Sequence, residues 1–454
     1  MMLILFPIAF ILAFIGSIVA LVRERKNAVF IFIIFALPIY TTALSVSFDL
    51  GLRWLVTMLQ FSKEIFVLIF FVNTILTLHK KPTFYLIDKL LLAFLVLNLF
   101  YLILPIGSFG FYEKLMAFRN ISFLVFIYFI GRFIDTSKIY INEVFSLVGL
   151  VGIAAGLVVL GEFLFDTHFQ TITGYAEYNS YYFGQEPSGN YGLSWTFENE
   201  SGYKRFASFF ANPLDHAAAT VITVSMLLAL TVSSKNKVKF NNFTLLVLFA
   251  TLASIIFAFS RAAFISYCLV FYIYSLVTKN KVILKWANYA LFAGFLVIVF
   301  FGKDIYDHLV ETVLLQDNSS LTHITDWLNG IESIIAHPFG IGLGESGRVS
   351  VYDNLQTGGE NALIIIGVQV GVLGMILYLL IYGKLIQICY QMAMHSTGKY
   401  RKLALALLLI KIGLILPILS SDQESYIYIS YMQWLLCGLV INYYYEEKAI
   451  SVPA

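Results

Sequence analysis

Charge is what this chain has least of. Lys, Arg, Asp and Glu make up 12% of its 454 residues, about half the roughly 25% of an ordinary soluble domain. Apolar runs recur from Met1 to Tyr445, and no hydrophilic stretch between them is long enough to fold separately. The 29 basic and 27 acidic residues nearly cancel to a net +2. With Lys and Arg dispersed in this way, a nucleic-acid partner is excluded. Cysteine is scarce too: Cys268, Cys389 and Cys437 each sit inside an apolar run, in no paired spacing. Neither a disulfide framework nor a zinc site follows from them. His323 and His337 lack ligand spacing as well, so no metal and no other cofactor is expected. No internal repeat or low-complexity tract is visible, which disfavours an inverted-repeat transporter.

What is present is apolar surface, 59% of residues with a mean hydropathy of +0.83. The expected fold class is all-α, a polytopic membrane helix bundle, with residues 1–454 forming a single integral membrane domain. A spanning helix needs about 20 mainly apolar residues, because in hydrocarbon the backbone must satisfy its own hydrogen bonds. Thirteen segments approach that length: 2–22, 28–46, 55–78, 88–106, 120–137, 144–165, 208–232, 242–259, 262–278, 283–302, 361–383, 403–420 and 427–445. Lys63 and Glu64 interrupt the third, and its loss would invert half the map. The first run ends at Arg23-Glu24-Arg25-Lys26 without a small-residue cleavage site, and reads as a retained anchor.

Alternate loops differ sharply in Lys and Arg. Nineteen of the 29 fall on one side, nine on the other, and Lys411 inside a helix. Cytoplasmic loops carry the excess, so the chain is expected to start outside and end in the cytoplasm. Both long polar segments, 166–206 and 303–360, then lie on the outer face. The first mixes aromatics with Asn, Gly and Ser, a composition suited to sugar faces; Trp195 and Tyr203 are among them. The second carries apolar residues at helical spacing from His323 to Ala336, which predicts an amphipathic helix along the interface. Pro338 and the glycines of Gly340 to Gly344 end it and permit a tight backbone path.

Three charged residues stand at helix ends on that outer side: Arg205, Arg261 and Glu360. A guanidinium presents a planar fork of donors to phosphate oxygens and stays charged, so a pair can hold a diphosphate as it leaves. A carboxylate beside them can accept the proton of an attacking hydroxyl. The same residues have plainer uses. Arginine at a helix end is also an interfacial anchor, and glutamate favours a helix N-terminus electrostatically. Lys204, Lys303 and Arg348 read as solvated loop charges, although Arg348 follows the glycine run closely enough to touch phosphate or sugar. Asp215 and His216 fall two to three turns inside the seventh span, where ionisable groups are costly; Lys411 poses the same choice between structural contact and function. Lys204, Arg348, Trp195, Tyr203, Asn212, Asp215, His216 and Asn361 are therefore further candidates for holding substrate.

Four elements in order carry a resemblance: the start Lys204-Arg205 with Asn212-Pro213, the turn Ser260-Arg261, the run His337-Pro338-Phe339-Gly340-Ile341-Gly342-Leu343-Gly344, and Glu360-Asn361 before Gly371 and Gly374. From Arg205 to Gly374 the chain resembles the bacterial O-antigen ligase and O-antigen polymerase superfamily of polytopic envelope proteins. That resemblance implies a GT-C-like bundle of about 13 spans in the inner membrane, and metal-independent transfer of glycan from undecaprenyl diphosphate in polysaccharide biosynthesis. Arg205 and Arg261 match the family arginines assigned to the diphosphate. Ligases of the superfamily have His-Asn or His-Ser where this chain has Glu360-Asn361, and an acid there looks more like the polymerases, with Glu360 as base. The resemblance thus implies a polymerase acting on lipid-linked oligosaccharides among membrane lipids, with a chain-length regulator as a conceivable partner. A ligase giving finished glycan to lipid A core or another acceptor, and a lipid-linked glycan flippase, are the alternatives.

Overall fold

In the computed structural model, residues 2–78, 81–199, 202–232, 238, 240–289, 318–347 and 359–451 are described. They form an all-α bundle. Among them no strand occurs beyond two isolated bridges, Glu198 with Lys204 and Val232 with Val238. Ten described helices are long and apolar enough to cross a membrane, so the chain is a multi-pass membrane protein.

The first half supplies six of the expected spans. α1 is Leu5–Val22; the second span is broken into α2 (Ala28–Phe35) and α3 (Tyr40–Asp49) by a turn at Leu37–Ile39. Pro38 in that turn has no N–H to continue the helix. α4 (Arg53–Leu76) passes through Lys63 and Glu64 without interruption. Glu64 Oε1 lies 2.9 Å from Lys63 Nζ and 3.2 Å from Arg119 Nη1, so these charges are paired inside the bundle, as intramembrane charges must be. α5 is Leu86–Ile103, α6 is Phe111–Phe133 and α7 is Ile141–Leu164. α6 starts well before the expected residue 120, which places Arg119 on a helix instead of in a loop.

In the 166–206 segment lies one further helix, α8 (Tyr175–Phe183). α9 (Pro213–Thr231), α10 (Asn242–Phe257) and α11 (Arg261–Thr278) follow. Residues 281–289 are helical, and the remainder of the expected 283–302 span lies outside the described residues. The amphipathic helix is α12 (Asn318–Ala336). Then come α13 (Ala362–His395), α14 (Gly398–Gly413), α15 (Ile415–Ser420) and α16 (Ile427–Ser451). α13 extends past the expected residue 383, carrying Lys384 on the helix.

α14 and α16 form the centre, each with a stretch that is apolar and buried on every side. Every residue from Leu403 to Ile410 is buried, as are Trp434 to Cys437 and Leu439 to Ile441. α16 meets α6 at a close crossing of two glycines. A Cβ on Gly438 would overlap Tyr128 O and approach Arg132 N to 2.5 Å, and one on Gly131 would overlap Leu435 O. Small residues of this kind let backbones approach where lipid supplies no hydrophobic drive. On the perimeter the pattern reverses: Leu12, Ile15 and Val22 of α1 are exposed.

The glycine run docks into a break in α13. Gly371 has φ +75° and interrupts the helix, which releases carbonyls for other partners. Ile341 N donates to Val368 O at 2.8 Å, Gly342 N to Gln369 O at 3.1 Å, and Val372 N to Pro338 O at 2.9 Å. A Cβ at Gly340 would stand 2.6 Å from Gln369 O, so only glycine allows this approach. Non-helical backbone is thus satisfied by protein. α12 follows the same contact. Its Ile334 packs with Ile364 and Val368 of α13, while Leu328, Ile335 and Phe339 stay exposed. The helix therefore has two apolar sides, one against the bundle and one facing outward.

Candidate functional site

The residues that lead into α9 are not helical, and side chains from elsewhere hold them. Glu162, in the last turn of α7, accepts from Phe169 N and Ser208 N, each at 2.8 Å. Gln170 donates to Ser208 O at 2.7 Å and Phe210 O at 2.9 Å, and Thr42 of α3 donates to Phe209 O at 2.8 Å. These bonds hold Ser208 at φ +54°, a conformation that costs energy for a residue with a Cβ. Asn212 then caps α9, accepting from Leu214 N and Asp215 N at 2.9 Å, with Pro213 in the first helical position. The helix begins at 213 rather than 208. Asp215 and His216 consequently occupy its first turn, not its interior, which corrects the placement expected from hydropathy.

Arg205 is the best-defined candidate. Its N–H donates to Phe197 O at 2.8 Å and that of Phe206 to Phe257 O at 3.0 Å. The guanidinium therefore lies against the end of α10, with Nε 3.2 Å from Ala258 O. Burial pulls this guanidinium below its ordinary range, to about 10; Tyr426 opposes the shift, Arg261 adds to it and Glu360 opposes it. At neutral pH the group stays charged. Arg261, Glu360 and Tyr426 are accordingly within electrostatic reach of Arg205.

Local capping explains how two of those neighbours are presented. Phe259, at φ +45°, turns the chain between α10 and α11; Ser260 Oγ then accepts from Ala263 N at 3.4 Å, and Arg261 is the first residue of α11. Asn361 caps α13, accepting from Leu363 N at 3.0 Å and Ile364 N at 3.3 Å, and Glu360 stands just before it. Both Arg261 and Glu360 are exposed. The cluster thus draws on three sequence-distant segments at one end of the bundle. Arg205, with the Arg261 guanidinium and the Glu360 carboxyl group in its electrostatic reach, suits an anion and a proton that must be taken up near it.

The other candidates scatter. Lys204 is committed to the loop, 2.7 Å from Asp166 Oδ1 and over the Tyr191 ring at 5.0 Å. Trp195 and Tyr203 are exposed, whereas Tyr178 and Phe197 are buried; the aromatics of 166–206 therefore divide between a small core and an open surface. His216 is buried against Phe210, with Nδ1 3.3 Å from Phe206 O. Asp215 is buried within electrostatic reach of Tyr428. Arg348 and Lys303, like the side chain of His323, lie outside the described residues.

Sequence reasoning passed over the turn between α15 and α16. Asp422, Glu424 and Ser425 line a cleft together with Asn120, Ser346 and Gln369, one residue along the chain from Tyr426. Gln369 shapes its wall by donating to Ser346 O at 2.8 Å and accepting from Gly344 N at 3.0 Å. Glu424 accepts from Tyr378, from Trp434 Nε1 at 2.9 Å and from Gln433 at 3.3 Å. Gln433 in turn accepts from the buried Lys411 at 2.9 Å. Lys411 therefore has structural partners. The available signal was the polar run Ser420-Ser421-Asp422-Gln423-Glu424-Ser425 between two apolar spans.

His168 is a second unforeseen feature. It is 2% exposed, ringed by Tyr191, Phe197 and Phe206. Neither ring nitrogen has a hydrogen-bond partner among the described residues. Burial, followed by the charge of Lys204, lowers its pKa from 6.5 to about 4, against a smaller opposing effect of Asp166.

The fold and site together define an all-α, multi-pass membrane protein with a cationic and acidic cluster at one end of its bundle. Compared with protein-family models and with curated protein sequences, the chain matches none.

Proposed function

We propose that the chain is a glycosyltransferase of the polysaccharide-polymerase type, joining undecaprenyl-diphosphate-linked repeat units on the outer face of the bacterial inner membrane. The observation that carries this reading is the grouping of Arg205, Arg261 and Glu360, with Arg205 partly desolvated and charged. An acceptor sugar hydroxyl attacks the anomeric carbon of the donor glycan. The bond from that carbon to the diphosphate oxygen breaks, its electron pair leaves with the diphosphate, and Glu360 takes the hydroxyl proton. One displacement of this kind inverts the anomeric centre. Arg205 and Arg261 bind the diphosphate and stabilise the charge that grows on it. Trp195 and Tyr203 offer exposed rings to sugars, and chain ends are lipid-anchored, consistent with a site at the end of a membrane bundle.

The test is product analysis with purified protein and lipid-linked repeat units. Glycans of laddered length on the lipid carrier are expected. Arg261→Lys and Glu360→Gln are each expected to lower the rate by about 100-fold or more, the scale for loss of a transition-state donor or a general base, with membrane insertion unchanged. Full activity in both variants would refute the assignment. Finished glycan passed to a lipid A core acceptor would point to a ligase instead.

A further inference from the structure

A cavity of about 730 Å³ lies between the N-terminal turns of α7, α10 and α14 and the C-terminal end of α9. It is at the opposite end of the bundle from Arg205, Arg261 and Glu360. α13 starts beside Glu360 and runs 34 residues to His395, a path of about 50 Å at 1.5 Å per residue. The residues immediately after it form one wall of the cavity. Whatever occupies this space is thus independent of the cluster described above.

The lining is cationic. Lys399, Arg401 and Lys402 contribute to it, and no described Asp or Glu does. Arg401 is 8% exposed, and its Nε donates to Ala393 O at 2.9 Å, which fixes the guanidinium. Lys402 Nζ donates to Asn142 at 3.0 Å on the facing helix, and Lys399 sits over the Tyr443 ring at 5.0 Å. Lys399 has Glu446 within electrostatic reach, but that carboxyl group is held by Thr136 at 3.1 Å and does not line the cavity. Tyr274 lies within electrostatic reach of Arg401 and is neutral at ordinary pH. Three cations along one recess, with no described acid in its lining, favour an anion there. Leu230, Phe240 and Phe243 supply apolar wall beside the charges. A free phosphate ion has no use for such a wall, whereas the glycerol and first acyl carbons of a lipid do.

We propose that this cavity binds the phosphate of an acidic membrane phospholipid of the phosphatidylglycerol kind. Lys399, Arg401 and Lys402 contact the phosphate, and the phenylalanines contact the glycerol end of the tails. Basic recesses between membrane helices commonly take lipid headgroups in this way.

The full chain is reconstituted in nanodiscs of phosphatidylcholine alone or of an equal mixture with phosphatidylglycerol. Thermal unfolding and the phosphatidylglycerol retained in native mass spectrometry are read. Wild type is expected to unfold at higher temperature in the mixed discs and to retain phosphatidylglycerol. The double variant Lys399→Gln with Lys402→Gln is expected to lose about 30-fold in retention. If the double variant does not fold, Lys399→Gln alone is expected to show a smaller loss of retention. Equal retention by wild type and the folded variant overturns the proposal. So does inorganic phosphate, added to phosphatidylcholine discs, if it stabilises wild type as much as phosphatidylglycerol does.

Discussion

Replacing Glu162 by Gln tests whether one buried carboxyl group holds the segment that presents Arg205. Its two oxygens accept two backbone N–H groups, of Phe169 and Ser208, each at 2.8 Å, and Glu162 is 5% exposed. An amide of the same shape has one acceptor oxygen and one NH2, so one of the two N–H groups faces a donor. Leaving a buried donor unsatisfied costs about 1–3 kcal/mol. This penalty, about 1–3 kcal/mol, falls on local opening of 166–170 and 205–210. At 1.4 kcal/mol per factor of ten, amide hydrogen exchange there is expected to accelerate by about 5- to 150-fold. Peptides covering Leu403 to Ile410, buried in α14, serve as the internal reference and are expected to keep their protection. Diphosphate binding weakens in parallel under the proposed function. If the Ser208 and Phe169 amides exchange at the wild-type rate in Glu162→Gln, the Glu162 side chain is not what fixes this segment.

Three further outcomes are expected. His168 takes up a proton near 6.5 in the unfolded chain but only near 4 in the folded one. Stability is therefore full above 6.5 and declines as pH falls from there toward 4, by about 1–2 kcal/mol after allowance for solvent screening; His168→Phe should remove this part of the pH dependence in thermal unfolding. Gly438→Ala forces a methyl into the backbone of α6 and should cost about 1–3 kcal/mol or more, seen as a lower unfolding temperature in detergent; an unchanged temperature would show that the helices can separate freely. Asn212→Ala removes the cap of α9 and should cost about 1 kcal/mol, measured the same way, whereas Asn212→Ser should restore most of it.

Much of the scaffold was legible before any coordinates. Spanning helices are long, apolar and locally hydrogen-bonded, so α1, α5 and α7 fall close to the runs that hydropathy picks out. Helix starts were harder. Phe206 to Phe210 are as apolar as a span, yet Glu162, Gln170 and Thr42 claim their backbone groups, and α9 waits for its Asn212-Pro213 cap. The break at Gly371 was equally hidden, because it exists only against the docked glycine run.

The sequence by itself determined the class of protein: too little charge for water, apolar runs of spanning length, and arginines and a glutamate at helix ends. Those properties depend on composition and near neighbours. Only the tertiary structure decided which charges meet. Arg205, Arg261 and Glu360 come from segments far apart in the chain, and Tyr426 joins them from a turn that hydropathy treats as a mere connection. The pairing of Glu64 with Arg119 and of Lys411 with Gln433 is of the same kind. In a bilayer each polar group must find its partner across the bundle, and that choice depends on how the helices pack.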